Sequence, residues 1–132
     1  MAVDIDAIDY WICQIDKDIG LKNFEQSKRL FYNIKDYAHF FTVELTGIFA
    51  FMINDTLSGD KVLSELIFYI YPSYRGNLKL VRKYINKAER IARENSCTKI
   101  AIGANIGFKD DSFYKLLNRW GYRNDTAVKE LV

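Results

Sequence analysis

The chain has 132 residues, 49% of them hydrophobic and 15% aromatic, with a formal net charge of +2. This length suits one domain, residues 1–132, that buries a core without metal or disulfide support, and the composition excludes a disordered segment. A charge this small names no partner by itself, and the longest apolar run, around Ile67 to Ile70, is far too short to cross a bilayer. Cys13 and Cys97 lie far apart with no paired spacing, and no basic, leucine-rich signal segment precedes them, so reduced thiols in a cytoplasm are expected.

Ile5, Ile8, Ile12, Ile15 and Ile19 recur at three and four residues with aspartates between them, which predicts an amphipathic helix. A second helix is expected from Phe24 to Tyr37, turning Phe24, Leu30, Phe31 and Ile34 inward, with Gly20 separating the two. From Ala38 the pattern becomes short, aromatic and β-branched. AHFFTVEL and GIFAFMIND read as strands joined by a tight turn at Thr46-Gly47, and KVLSELIFYIYP as a third after the polar turn Thr56 to Asp60. A helix from Asn77 to Glu94 is expected to bury Leu78, Val81, Ile85, Ala88 and Ile91 or Ala92, leading into a strand in KIAIGANI. Strand, crossover helix and strand form a βαβ unit, right-handed and parallel. A last helix, Asp110 to Trp120, with Asp110 or Asp111 as its cap and Gly121 beyond its end, precedes a strand in YRNDTAVKELV. The order ααβββαβαβ predicts an α/β (α+β) mixed sheet with helices on both faces.

The junction LIFYIYPSYRGNLKL, Leu66 to Leu80, stands out. A strand breaks at the only proline, passes through Tyr-Arg-Gly and opens a basic helix. A helix start exposes unpaired amides and the positive end of the peptide dipoles, and Arg75 and Lys79 add charge, so an anion site is expected here.

Glu65, Phe68, Ile70 and Pro72, then Tyr74-Arg75-Gly76, the helix from Asn77, Ile100 and Ile102, and the closing Gly121-Tyr122 together resemble the core of the GNAT superfamily of acyl-coenzyme A N-acyltransferases. The resemblance covers roughly Leu63 to Arg123, and the preceding ααβββ order is similar to the family's as well. The family usually begins with a strand before its first helix, and none is read here, as in shortened members that include phage-encoded ones. The resemblance implies an N-acetyltransferase moving an acetyl group from acetyl-coenzyme A to an amine of a small molecule or a protein. It implies that backbone groups of Phe68, Tyr69 and Ile70 hold the pantetheine arm and that Arg75, Gly76, Asn77, Leu78, Lys79 and Leu80 hold the pyrophosphate. The family signature has small residues where this chain has Leu78 and Leu80.

Transfer to an amine requires a base for the attacking nitrogen and an acid for the leaving thiolate. Glu65 is placed like the base some members carry on this strand, and strict alternation sets it on the face of Ile67 and Tyr69. The family's frequent acid, counted back from Gly121, falls on Leu117, and Tyr114, one turn earlier, is the candidate in its place. The single His39 sits in an aromatic strand and reads as a core or edge residue; with no spaced cysteine or carboxylate partners, no metal is expected. Two other functional classes follow from the sequence. One is a GNAT-shaped protein without catalysis, acting through a protein interface such as a virion or a host factor. The other is nucleic-acid binding through the basic helix, where Arg75, Lys79, Arg82, Lys83, Lys87, Arg90 and Arg93 face only Glu89 and Glu94. The aromatic strands also make a homodimer an expectation.

Overall fold

The computed structural model describes residues 5–103 and 112–123, together with Lys129 and Leu131. Helices α1 (Ile5–Ile19) and α2 (Phe24–Ile34) precede strands β1 (His39–Phe41), β2 (Gly47–Asp55) and β3 (Lys61–Ile70). A single 3₁₀ turn, Pro72–Tyr74, leads to α3 (Leu78–Glu94), β4 (Lys99–Ala101) and α4 (Ser112–Arg119). The sheet order is β1-β2-β3-β4, antiparallel except for the parallel β3–β4 pair. Helices on both faces of a mixed sheet are as the sequence pattern requires.

Two cores result, one on each face. Ile8, Trp11, Ile12 and Ile15 of α1 and Phe31 of α2 pack against Ile48, Ala50, Ile67 and Tyr69. On the other face Val81, Tyr84, Ile85 and Ala88 of α3 and Phe113 and Leu117 of α4 pack against Phe49, Phe51, Leu63, Phe68 and Ile70. Cross-strand partners share a face, so the register decides who enters which core. The β2–β3 register runs Ala50↔Ile67 and then Phe51↔Glu65, with Leu66 as the extra residue of a bulge. Beyond this bulge the alternation is reset. Glu65, opposite Phe51, therefore lies on the α3–α4 face, not with Ile67 and Tyr69 as strict alternation suggested.

Several local expectations are corrected. α2 ends at Ile34 and not at Tyr37, because the amides of Tyr37 and Ala38 both donate to the Ile34 carbonyl, each at 2.9 Å, and turn the chain into β1. Leu30 is 56% exposed; it lies about 100° round the helix from Phe31, which takes the centre of the buried stripe. No tight hairpin joins β1 to β2. The segment 42–46 leaves the sheet, with Glu44 and Leu45 at φ 53° and 55°. It is anchored by Thr46, whose Oγ1 donates to the Val43 carbonyl at 2.6 Å, and by the buried Tyr84 hydroxyl, 3.0 Å from Thr46 Oγ1 and 3.2 Å from the Val43 amide. Asp110, Asp111, the later part of KIAIGANI and most of the expected last strand lie outside the described residues. Tyr122 and Arg123 are in no strand.

Both ends of the crossover are closed locally. α3 and α4 end in the same motif: Cys97 N donates to Ala92 O at 2.9 Å and Tyr122 N to Leu117 O at 3.0 Å, across left-handed residues Ser96 (φ 60°) and Gly121 (φ 92°). The start of β4 is tied to the β2–β3 turn through Asp60, which accepts from Lys99, Thr98 and Ser58 and is thereby held down at about 2. Among the described residues no helix is long and apolar enough to cross a membrane, and no cluster of three or more His, Cys, Asp or Glu is arranged to hold a metal ion.

Gly47 faces Ile70 so closely that a Cβ there would stand 2.1 Å from the Tyr69 carbonyl oxygen and 2.8 Å from Ile70 Cα. Gly47→Ala is expected to lower stability by ~3 kcal/mol in urea denaturation, and an unchanged midpoint would contradict this close approach. Ser96→Gly, relieving a left-handed residue that has a Cβ, is expected to add ~1 kcal/mol by the same measurement.

Candidate functional site

Pro72 ends β3 because it has no amide to give the ladder, and the chain then winds into the 3₁₀ turn, with Tyr74 N on Tyr71 O at 2.9 Å and Asn77 N on Tyr74 O at 3.1 Å. Asn77 caps α3: its backbone is extended and its Oδ1 accepts from Leu80 N at 3.1 Å. The amides of Leu78 and Lys79, in the first turn, have no carbonyl to meet inside the helix. A Cβ on Gly76 would touch no atom within 4 Å, so the turn is open at that point. Leu78, expected in the core, is 57% exposed, whereas Leu80 is 4% exposed and packs beneath α3. The two leucines at the signature positions thus point in different directions, and Leu80 does not cover the helix start.

Arg75 is not an isolated surface cation. Its Nε donates to the Ile70 carbonyl at 2.9 Å, its guanidinium pairs with Asp18 of α1, and it lies 5.3 Å from the centre of the Tyr69 ring. Asp18 is 57 residues away in the chain. No local pattern could have nominated it.

Phe68 and Ile70 turn toward α3, and Tyr69 toward α1. The parallel β3–β4 register covers three pairs only, Val62↔Lys99 to Ser64↔Ala101, while β3 runs on to Ile70 paired with β2. Along this paired stretch a cavity of about 1300 Å³ lies between β3, β4, α3 and α4, with Val62, Ser64, Lys99 and Ala101 in its wall. Glu65, 9% exposed, lines it together with Tyr114, Glu89, Trp120 and Tyr122. The fold therefore brings Glu65 and Tyr114 to one cavity, at the opposite end of β3's second half from the 71–77 turn. Tyr114 Oη donates to the Gly103 carbonyl at 2.9 Å. Tyr122 Oη donates to Glu89 at 2.7 Å, and burial, with this carboxylate behind it, pushes the hydroxyl up. Glu89 and Tyr122, 33 residues apart, are site residues that sequence reasoning missed; Glu89 had registered only as a counter-charge on a basic helix. Leu117 is buried in the core.

The cations of α3 divide between neighbours. Arg82 stacks 4.4 Å from the Trp120 ring centre and Lys87 4.9 Å from that of Phe41, while Lys83 pairs with Glu44, Arg90 with Glu94 and Arg93 with Glu89. His39 lies in β1 beside Phe51, ring centres 5.6 Å apart.

Tyr69 and Tyr71 flank the turn on its α1 side, with Trp11 between α1 and both rings. Both hydroxyls are pushed up from 10.0 to about 12, Tyr69 by burial and the Asp18 carboxylate, Tyr71 by burial and its hydrogen bond with the Tyr10 hydroxyl. A hydroxyl that ionises later in the folded chain than in the unfolded one stabilises fully below the unfolded value and loses that contribution as pH rises through the folded one. Stability is therefore expected to hold up to pH 10 and fall between 10 and 12. Ultraviolet titration of the folded protein should show Tyr69 and Tyr71, along with the buried Tyr84 and Tyr122, ionising only above the ordinary range or as it unfolds, and normal titration of Tyr69 and Tyr71, identified by their Phe variants, would contradict this packing.

No family model matches the chain, and no curated protein does. Solved structures do. An aminoglycoside 6′-N-acetyltransferase of Acinetobacter haemolyticus is similar at 13% identity and a TM-score of 0.67, covering 100% of this chain and 95% of its own. A predicted acetyltransferase of Clostridium acetobutylicum, solved with acetyl-CoA, is similar at 15% identity and 0.68, over 100% and 94%. A transcriptional regulator of Bacillus halodurans is similar at 15% and 0.74, over 100% and 97%. At such identities the likeness speaks for architecture, and the described residues have the GNAT-like fold that these proteins share.

Proposed function

We propose that the chain is an N-acetyltransferase that uses acetyl-coenzyme A and an amine of a small molecule or protein. The observation that carries this reading is the arrangement along β3: an open helix start at one end and, about 15 Å away along the strand, a buried carboxylate and a tyrosine on one cavity. An elongated ligand with an anionic tail and a reactive head suits that arrangement. Its tail is supported by the free first-turn amides of Leu78 and Lys79, the open flank of Gly76 and the Lys79 charge. Leu80 fits because its side chain is in the core. Phe68, Tyr69 and Ile70 supply the strand between the two ends, and Asn77 holds the helix start in shape.

Acetyl-coenzyme A supplies an activated acetyl group as a thioester. The protein's task is proton management. Glu65 takes the proton that the amine nitrogen loses as its bond to the acetyl carbon forms, directly or through one water. Tyr114 gives its hydroxyl proton to the sulfur as the carbon–sulfur bond breaks, leaving the Gly103 carbonyl to do so. Burial of Glu65 keeps bulk water away from the proton transfer.

Titrating acetyl-coenzyme A in a thermal-shift experiment is expected to raise the melting temperature, because a ligand of the native state at a hundredfold excess over Kd stabilises by ~2.7 kcal/mol. No shift at millimolar concentration sinks the enzyme reading in favour of a fold that acts through a protein interface. Glu65→Gln is expected to lower turnover by about a hundredfold while leaving coenzyme binding intact. Equal turnover would remove Glu65 from the mechanism.

A further inference from the structure

We infer that Asp18 is a positioning residue for this site: it holds Arg75 in a strap that keeps the 71–77 turn in its binding shape, and Arg75 acts on the turn instead of serving as a phosphate ligand. The inference rests on the coenzyme reading above, but the strap itself is a property of the free chain.

The geometry closes a ring. Ile70 is the last residue of β3 and Arg75 follows the 3₁₀ turn, so the Nε hydrogen bond to the Ile70 carbonyl ties the two ends of the turn together. The rest of the guanidinium is held from outside by Asp18 and from below by the Tyr69 ring. Among the described ion pairs, this is the one in which both side chains are mostly shielded, each 21% exposed; every other pair has at least one partner above half. Shielding strengthens the attraction and reduces its screening by salt.

Asp18 is also misplaced for its own helix. It stands in the last turn of α1, where the negative end of the peptide dipoles disfavours a carboxylate. Arg75 offsets that repulsion, so α1 and the turn each supply what the other lacks. To contact a phosphate, Arg75 would have to abandon a half-shielded carboxylate, which is costly to leave unpaired. Lysine could replace a phosphate ligand as a point charge. It could not reach both the Ile70 carbonyl and Asp18 with the geometry of a guanidinium fork.

The two roles for Arg75 give opposite signs in one variant. If Arg75 is a strap, Asp18→Asn loosens the turn; a turn in its binding shape a tenth of the time raises the Kd for coenzyme A about tenfold. If Arg75 is a phosphate ligand restrained by Asp18, the same variant frees its charge and binding tightens. Calorimetric titration of coenzyme A into the wild type, Asp18→Asn and Arg75→Lys reads this directly, and both variants are expected to bind more weakly. Unchanged or tighter binding by Asp18→Asn overturns the proposal, as does full binding by Arg75→Lys. Amide hydrogen exchange of the free proteins is the second arm: faster exchange confined to residues 71–79 in both variants supports the strap, and exchange equal to the wild type's overturns it. Absence of coenzyme A binding by the wild type rejects the enzyme reading and the positioning role together, while the exchange arm still decides whether the strap exists. Should Asp18→Asn not fold, Arg75→Lys carries both arms.

Discussion

β3 is the wall between two hydrophobic cores, and the extra residue it carries at Leu66 sets what each core receives. On the C-terminal side of the bulge, Ile67 and Tyr69 close the α1–α2 core and Phe68 and Ile70 the α3–α4 core. On the N-terminal side the assignment is inverted relative to a plain ladder, and Glu65 joins Leu63 on the α3–α4 face. Without the extra residue, a carboxylate would be driven against the hydrophobic side chains of the α1–α2 core, where burying a charge is costly. With it, the charge faces a cavity that also holds Tyr114, Glu89 and Tyr122.

The opposite end of the strand depends on helix geometry. Residues two apart on an α-helix are separated by about 200°, so two leucines at that spacing have two unrelated effects. Leu80 is absorbed by the core beside Phe68 and Tyr84. Leu78 takes the outward position, leaving the first-turn amides reachable from the side of Gly76. Asn77 satisfies the Leu80 amide and leaves those of the two residues before it, which limits the helix start to a small number of donors aimed one way.

Much of this was legible in the chain. The isoleucine spacing marked α1, the aromatic and β-branched runs marked the strands, and the strand–Pro–Tyr-Arg-Gly–helix junction marked the turn, because each depends on neighbours within a few residues. What could not be read depends on pairs distant in sequence. The face of Glu65 follows from a bulge that has no composition signature. The short β1 follows from Tyr84, which reaches across from α3 to hold Val43 and Thr46. Asp18, Glu89 and Tyr122 acquire meaning only from partners 57 and 33 residues away. Leu30 and Leu78 were placed inward because hydrophobicity was taken to mean burial, while the helices had fuller residues next to them for the same stripe.

The short parallel pairing of β3 with β4 has a consequence for how this molecule can change over generations. One wall of the cavity is this paired stretch itself, Val62 and Ser64 beside Lys99 to Ala101, so that wall is fixed by ladder hydrogen bonds and owes little to particular side chains. A rim side chain that only pairs with a neighbour on the rim, such as Arg93 with Glu89, can vary without removing that wall. The strand edge beneath is held from its other side by β2, where Met52 to Asn54 pair with Ser64 to Val62. Changes at that rim therefore cost the fold little.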